Sequence, residues 1–178
     1  MARGKKLEQI FHFLNPQEDK IVESIKRLPL FQDFDERDIR ILAEKCYIRF
    51  FGPEEEIYAE ESPGAAIYFI VYGSVGIYRK RRSNVTDRIQ VIKAGAFFGE
   101  SALVTEAPRR HSVKAMEKTQ VLVLFKTDFE RLEQIHPRVA LIFLKFVALK
   151  FFDELNIFQV EFHELSQKIA KDHLKNDY

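Results

Sequence analysis

The chain has 178 residues, which suits one domain or one domain with an extension. Hydrophobic residues make up 46% of it, enough for a buried core, so a chain that is disordered throughout is excluded. Lys and Arg number 28 and Asp and Glu 27, and this net charge of +1 gives no general attraction to nucleic acid. The single cysteine, Cys46, excludes an internal disulfide framework and a zinc site built from cysteines.

The start of the chain, MARGKKLEQI, is charged rather than signal-like. No uncharged apolar run reaches the roughly 18 residues that a membrane helix needs. We therefore expect a soluble, cytoplasmic protein without a membrane segment.

The N-terminal segment, residues 1–27, has a helical pattern of apolar residues that Pro16 divides into two stripes. The stripes consist of Ile10, Phe11 and Leu14, and then Ile21, Ile25 and Leu28. A further helix is predicted after Asp35, whose carboxylate suits an N-cap, with Cys46 on its apolar face.

Residues 28–136 are predicted to form a β-sandwich domain. Short stretches rich in β-branched and aromatic residues, such as AIYFIVY and QVLVLF, alternate with turn signals such as Pro63-Gly64 and Gly95. Many short strands at this spacing favour an antiparallel jelly roll, also called a double-stranded β-helix, flanked by helices.

Helices return near the end of the domain. Thr127 and Glu130 have the spacing of a capping box, and Pro137 suits the first turn of a following helix. Residues 137–178 contain no further Gly or Pro, and they are predicted to form a long C-terminal helix.

The segment FFGESALVTEAPRRHSV, residues 97–113, does not fit a pure core or turn pattern. Gly99 frees the backbone before a short helical turn, and Arg109 provides a planar cation suited to an oxyanion. Glu100 would repel a phosphate, so it suits a hydroxyl beside one. A phosphate with an adjacent sugar hydroxyl indicates a nucleotide, although another small anion stays an alternative.

This segment resembles the phosphate-binding cassette of cyclic nucleotide-binding domains, written F-G-E-x-A-L, a loop, then P-R-(A/T)-A-(S/T)-V. The resemblance extends over about residues 28–150. The cassette positions that match without a gap are Phe98, Gly99, Glu100, Ala102, Leu103, Pro108, Arg109, Ser112 and Val113.

The resemblance implies a role for each cassette residue. Glu100 would accept the ribose 2′-hydroxyl, and Arg109 would pair with the cyclic phosphate together with backbone amides near Ala102 and His111. Gly99 would let the backbone approach the sugar. The ligand would be cAMP or cGMP, with no further cofactor and no metal. The remaining residues of the implied pocket are Phe98, Ser101, Val113 and Ile77.

Two positions depart from the family pattern, because Arg110 and His111 stand where Ala or Thr, and then Ala, are usual. Thr in the first place is associated with cGMP and Ala with cAMP, so Arg110 gives neither signal. It could add a second charge to the phosphate, point to solvent or block the pocket. His111 is expected to be a neutral strand residue or an exposed hydrogen-bond donor rather than a metal ligand.

The C-terminal helix carries apolar residues at alternating gaps of three and four over residues 141–169. A helix over that range would be about 43 Å long. We expect it to form a homodimer, with packing in cis and an edge strand at FQVEFH as alternatives. The seam residues are Leu141, Leu144, Ala148, Phe151, Leu155, Phe158, Phe162, Leu165 and Ile169.

The sequence therefore predicts a regulatory module that binds a cyclic nucleotide, with cAMP favoured over cGMP, and that signals to an unknown partner through its C-terminal helix. The alternative is a dimeric structural protein with a degenerate pocket. No catalytic signature appears, so no enzyme is expected. Too few residues follow Ile169 for a DNA-binding helix-turn-helix.

Overall fold

The computed structural model describes residues 16–81 and 86–176. The described chain begins with helix α1 (Pro16–Lys26), a short 3-10 helix (Pro29–Phe31) and helix α2 (Glu36–Ala43). The second predicted stripe lies on α1 and just after it, where Ile21, Ile25 and Leu28 are buried. The first stripe, at Ile10, Phe11 and Leu14, lies outside the described residues.

Eight antiparallel strands then form two four-stranded sheets, with the orders β1-β8-β3-β6 and β2-β7-β4-β5. This sandwich, with its flanking helices and long C-terminal helix, confirms the predicted jelly-roll fold. The strands are β1 (Cys46–Phe51), β2 (Glu56–Tyr58), β3 (Ala66–Tyr72), β4 (Ser74–Lys80), β5 (Thr86–Lys93), β6 (Phe97–Phe98), β7 (Ser112–Ala115) and β8 (Thr119–Phe125).

Strand β8 shows why the sandwich needs its helices. Its residues Val121 and Val123 join the core cluster, while Leu122 and Leu124, which point to the other face, are also fully buried. Helix α1 packs near β1 and β8, and helix α2 packs near β1. A central strand covered on both faces requires a continuous apolar run, which is what QVLVLF supplies.

Helix α2 begins as predicted, because the Asp35 carboxylate accepts a hydrogen bond of 2.8 Å from the Asp38 backbone N–H. Asp38 is itself buried, and its Oδ1 accepts a hydrogen bond of 3.0 Å from Arg138. Cys46 is buried as expected, but its predicted place on this helix is wrong, because the helix ends at Ala43 and Cys46 is the first residue of β1. Burial raises the pKa of its thiol to about 12.

The later helices are α3 (Ser101–Val104), α4 (Lys126–Ile135) and α5 (Pro137–Asn176). The predicted capping box is wrong, because α4 begins at Lys126 and its N-cap is Phe125, without a side-chain cap. Strand β8 ends at Phe125 and runs directly into the helix, which leaves Thr127 inside the first turn. Pro137 opens α5, as predicted.

The described chain divides into two compact units, the second beginning at Leu141 within α5. FQVEFH lies in the helix, so the edge-strand alternative is wrong. Every residue from Phe151 to Ile169 is exposed. Within residues 16–81 and 86–176, no helix has a stretch apolar and long enough to cross a membrane.

Candidate functional site

Arg109 lies in the loop between α3 and β7, and only 5% of it is exposed. Its Nη1 donates to the Gly99 carbonyl at 2.8 Å, and its Nη2 donates to the Ala66 carbonyl at 2.6 Å. Its Nε is buried and has no hydrogen-bond partner among the described residues. A permanent cation is therefore held in the protein interior by two neutral oxygens, and its Nε donor is buried without a partner in the described chain.

The guanidinium also rests on an aromatic ring, since its Cζ lies 4.3 Å from the ring centroid of Tyr58. Tyr58 contacts the rings of Tyr68 and Phe98, with centroid separations of 5.7 and 6.0 Å. Tyr68 and Phe98 stack on each other at 5.1 Å, with an interplanar angle of 8°. Three rings thus form an aromatic cluster beneath Arg109.

Gly99 has a positive φ of 81°, which favours glycine. A Cβ atom here would lie 3.0 Å from the Ala66 carbonyl oxygen and 3.1 Å from Arg109 Nη1. The position therefore requires glycine both for its backbone conformation and for the close approach of the arginine. This agrees with the backbone freedom expected of Gly99 from the sequence.

The Arg109 backbone is fixed by the loop that precedes β3. Its N–H donates to the Ser62 carbonyl at 2.8 Å, and its carbonyl accepts from the Glu61 N–H at 2.8 Å. Glu61 has a φ of 68°, which is costly for a residue with a side chain. The two loops are therefore held together at the arginine.

Glu100 directly precedes α3 and is partly buried. Its charge and that of Arg109 both act on Tyr58. Burial raises the pKa of the Tyr58 phenol to about 12, with Arg109 lowering that pKa and Glu100 raising it. The predicted carboxylate and cation thus lie around the same phenol ring.

The other expected pocket residues divide into buried and exposed groups. Phe98 and Val113 belong to the buried core cluster, and Ile77 packs against it. Ala102 is buried, whereas Ser101 is exposed. The Ala102 N–H donates to the Gly99 carbonyl at 3.2 Å, so this amide already has a protein partner.

The two departures from the family pattern lie in different surroundings from Arg109. Arg110 is exposed, although it directly follows the buried arginine. His111 is partly buried just before β7. Burial lowers the pKa of His111, Arg79 and Arg110 lower it further, and Glu60 opposes them. This favours the neutral imidazole near neutral pH.

The sequence did not indicate three contributors, Ala66, Tyr58 and Tyr68. Ala66 acts through its backbone carbonyl, which no residue type reveals. Tyr58 and Tyr68 look like ordinary strand aromatics, and they lie far from Arg109 in the chain. Only the position of their strands next to the cassette could have suggested them.

A model of the family described as "Cyclic nucleotide-binding domain" matches residues 48–136, half of the chain. The matched range contains the buried arginine, Gly99 and most of the two sheets. The chain belongs to the cyclic nucleotide-binding domain family.

The cAMP-dependent protein kinase regulatory subunit of Eremothecium gossypii is 32% identical over 108 residues. These residues are 61% of this chain and 23% of that protein, so this chain spans about a quarter of its relative's length. The relative's name describes a regulatory subunit rather than a catalytic one.

Two solved structures show the same fold at low sequence identity. The catabolite activator protein of Thermus thermophilus has a TM-score of 0.66 and 24% identity, covering 78% of this chain and 63% of that chain. The regulatory subunit of a cAMP-independent protein kinase A from Trypanosoma brucei has a TM-score of 0.63 and 17% identity, covering 78% and 52%. The fold alone therefore does not fix the ligand.

Proposed function

We propose that this chain is a regulatory module that binds cAMP, in preference to cGMP, at residues 97–113. The observation that carries the proposal is Arg109, a buried cation whose hydrogen bonds within the described chain go to neutral carbonyls and whose Nε has no partner. A buried charge is costly without a counter-charge. A phosphate oxygen would provide both the charge and the missing acceptor.

The neighbouring residues suit the rest of such a ligand. Glu100 is an acceptor one residue beyond the glycine that lets Arg109 approach, so it can take a ribose hydroxyl. Ile77, which is partly buried and packs against the core cluster, offers apolar surface beside it. The preference for cAMP draws on the kinase regulatory subunit named above, whose name specifies cAMP dependence.

The test is calorimetric titration of nucleotide-stripped protein with cAMP and then cGMP. We expect micromolar binding of cAMP, which corresponds to about −8 kcal/mol. Arg109→Ala should weaken binding at least tenfold, because truncating one partner of a buried charge pair costs about 2–5 kcal/mol.

Arg110→Ala is the matched control, since it removes the same side chain from the next, exposed position. Its affinity should stay within a few-fold of the parent. Equal losses in both variants would contradict a specific role for Arg109. Tighter binding of cGMP than of cAMP would reject the proposed base preference.

We also propose that the helix over residues 141–169 forms the homodimer contact. Its seam residues include large apolar side chains that are highly exposed, among them Leu155 at 54%, Phe158 at 61% and Phe162 at 61%. An apolar stripe of this size indicates an interface.

The test of this homodimer is sedimentation of two variants beside the parent. Sedimentation should show a dimer for the parent and a monomer for Leu155→Glu, while the off-seam control Asn156→Glu should remain dimeric.

Signalling requires that the nucleotide bind one arrangement of the helix better than another. Coupling between sites is reciprocal, so cAMP that fills both sites of the dimer should change the dimer dissociation constant by the square of the factor by which dimerisation changes the cAMP affinity of each site. Measuring the dimer constant with and without saturating cAMP tests this link. Identical constants would leave a ligand-binding dimer that does not signal through dimerisation.

The alternative is a structural dimer with a degenerate pocket. Arg109 already donates to two carbonyls, and a protein with this fold is named as cAMP-independent. If neither nucleotide binds at several temperatures while the helix still dimerises, this alternative replaces the regulatory function.

A further inference from the structure

We infer that Tyr58 is a positioning residue, which holds the Arg109 guanidinium in the orientation that receives the ligand's phosphate. This inference deepens the proposed function and rests on it. Tyr58 lies on β2, in one sheet, whereas the carbonyls that hold Arg109 belong to residues at β3 and after β6, in the other. The arginine is thus fixed from both sheets.

The contacts restrict the guanidinium in two different ways. The carbonyls of Gly99 and Ala66 take hydrogens that lie in its plane, at 2.8 and 2.6 Å. The Tyr58 ring covers one of its faces, with Cζ 4.3 Å from the centroid. The in-plane bonds alone would still allow the plane to tilt, and the ring opposes that tilt because a cation is attracted to the face of an aromatic ring.

The Tyr58 ring is itself supported by the segments that provide the two carbonyls. Tyr68 follows Ala66 on β3, and Phe98 directly precedes Gly99. Tyr68 and Phe98 are register partners between β3 and β6, and their rings stack. The two carbonyls that hold Arg109 and the two rings that support Tyr58 therefore come from the same two neighbouring segments of the chain.

The orientation of the guanidinium matters because some of its N–H donors are not used by the two carbonyls. Nε is buried without a hydrogen-bond partner in the described chain, and the second hydrogens of the two Nη atoms remain available. A phosphate that approaches in the plane of the guanidinium can meet donors side by side. Tilting the plane would separate the phosphate from at least one of them.

The first experiment compares cAMP affinity in the full chain for Tyr58→Leu, Tyr58→Phe and Phe69→Leu. Tyr58→Leu should weaken binding about fivefold to thirtyfold, the range of one buried cation–π contact. Tyr58→Phe keeps the ring and should rescue binding to within about threefold of the parent. Phe69→Leu is the matched control, because it removes a buried ring from β3 whose contacts are with Phe31 and Phe97 rather than with Tyr58.

Equal losses in Tyr58→Leu and Phe69→Leu would overturn the inference, since they would indicate general packing. So would failure of Tyr58→Phe to rescue. A double-mutant cycle adds a decisive comparison: in the Arg109→Ala background, Tyr58→Leu should change cAMP affinity by less than about twofold. A full effect there would also contradict positioning through Arg109.

The second experiment needs no ligand, so it separates this inference from the proposed function. The same cycle is measured on the unfolding equilibrium in urea. If Tyr58 holds Arg109, the two substitutions should be coupled by at least about threefold in the unfolding constant. If the effects of the two substitutions on the unfolding constant are additive, the inference is overturned. If they are coupled but the parent protein binds neither cAMP nor cGMP, only the proposed function is rejected.

Discussion

The two units of the chain treat the same side chain in opposite ways. In the sandwich, Phe69 and Phe98 are 1% and 2% exposed. In the helix after Leu141, Phe158 and Phe162 are each 61% exposed, although they stack on each other with centroids 6.0 Å apart. The sandwich buries its aromatics within its own sheets and helices. The exposed apolar stripe of the helix supports the proposal above that it forms the homodimer contact.

Removing one phenylalanine from each unit should sharpen this contrast most. Phe98→Ala should lower the free energy of unfolding by about 3–5 kcal/mol, because a buried ring leaves a cavity. Phe158→Ala should change it by less than about 0.5 kcal/mol in dilute protein. The chain has no Trp, so urea unfolding is followed by circular dichroism. Similar losses of unfolding free energy in both variants would contradict the contrast between a buried and an exposed phenylalanine.

Adding a single carbon tests how tightly the sandwich is packed. Gly99→Ala places a Cβ 3.0 Å from a carbonyl oxygen at a φ of 81°, and we expect a loss of about 1–3 kcal/mol. Gly52→Ala is the matched control, because its Cβ would meet its nearest atom at 3.7 Å. The control should not destabilise the fold in the same urea measurement. A neutral Gly99→Ala would show that the cassette has room to relax.

The smallest expected effect concerns the stability of the fold at low pH. The Asp38 backbone N–H lowers the pKa of Asp35 below its usual value, with Arg138 adding to the effect. A carboxyl with a lowered folded pKa contributes stability above its unfolded pKa, and that contribution is lost as the pH falls through the folded value. In a plot of melting temperature against pH, Asp35→Asn should therefore show a smaller fall in melting temperature at acid pH than the parent does.

Lys150 and Glu154 on the long helix provide the comparison for that pH profile. They form an ion pair with a separation of 3.5 Å, and half of the Glu154 side chain is exposed. Exposed pairs of this type contribute little. Glu154→Gln should leave the fall in melting temperature at acid pH unchanged, and an equally reduced fall in both variants would contradict a specific role for Asp35.

The sequence was most informative where function depends on neighbouring residues. Gly99, Glu100 and Arg109 lie within one short segment, so their types and spacing were enough to predict a site around them. The predicted N-cap at Asp35 was correct, because a cap depends on residues three positions apart. The strands could be located because β-branched and aromatic residues alternate with turn signals.

The rest depended on contacts between distant parts of the chain. The Ala66 carbonyl accepts a hydrogen bond from Arg109, which lies 43 residues away in the sequence. The contact between Arg109 and Tyr58 joins residues that belong to different sheets or to the loops beside them. The capping box at Thr127 failed for a related reason. Because β8 pairs with β3 as far as Phe125, the strand continues directly to the start of α4, and no loop remains for Thr127 to cap.

The buried Cys46 has a practical consequence for labelling. Its thiol, with a pKa of about 12, stays protonated and inaccessible under ordinary conditions. Thiolates rather than thiols react with maleimides, so the folded chain should be almost unreactive as it stands. A cysteine introduced at an exposed position such as Gln159 would then be the site that accepts a fluorophore or spin label. The natural thiol would not need to be removed.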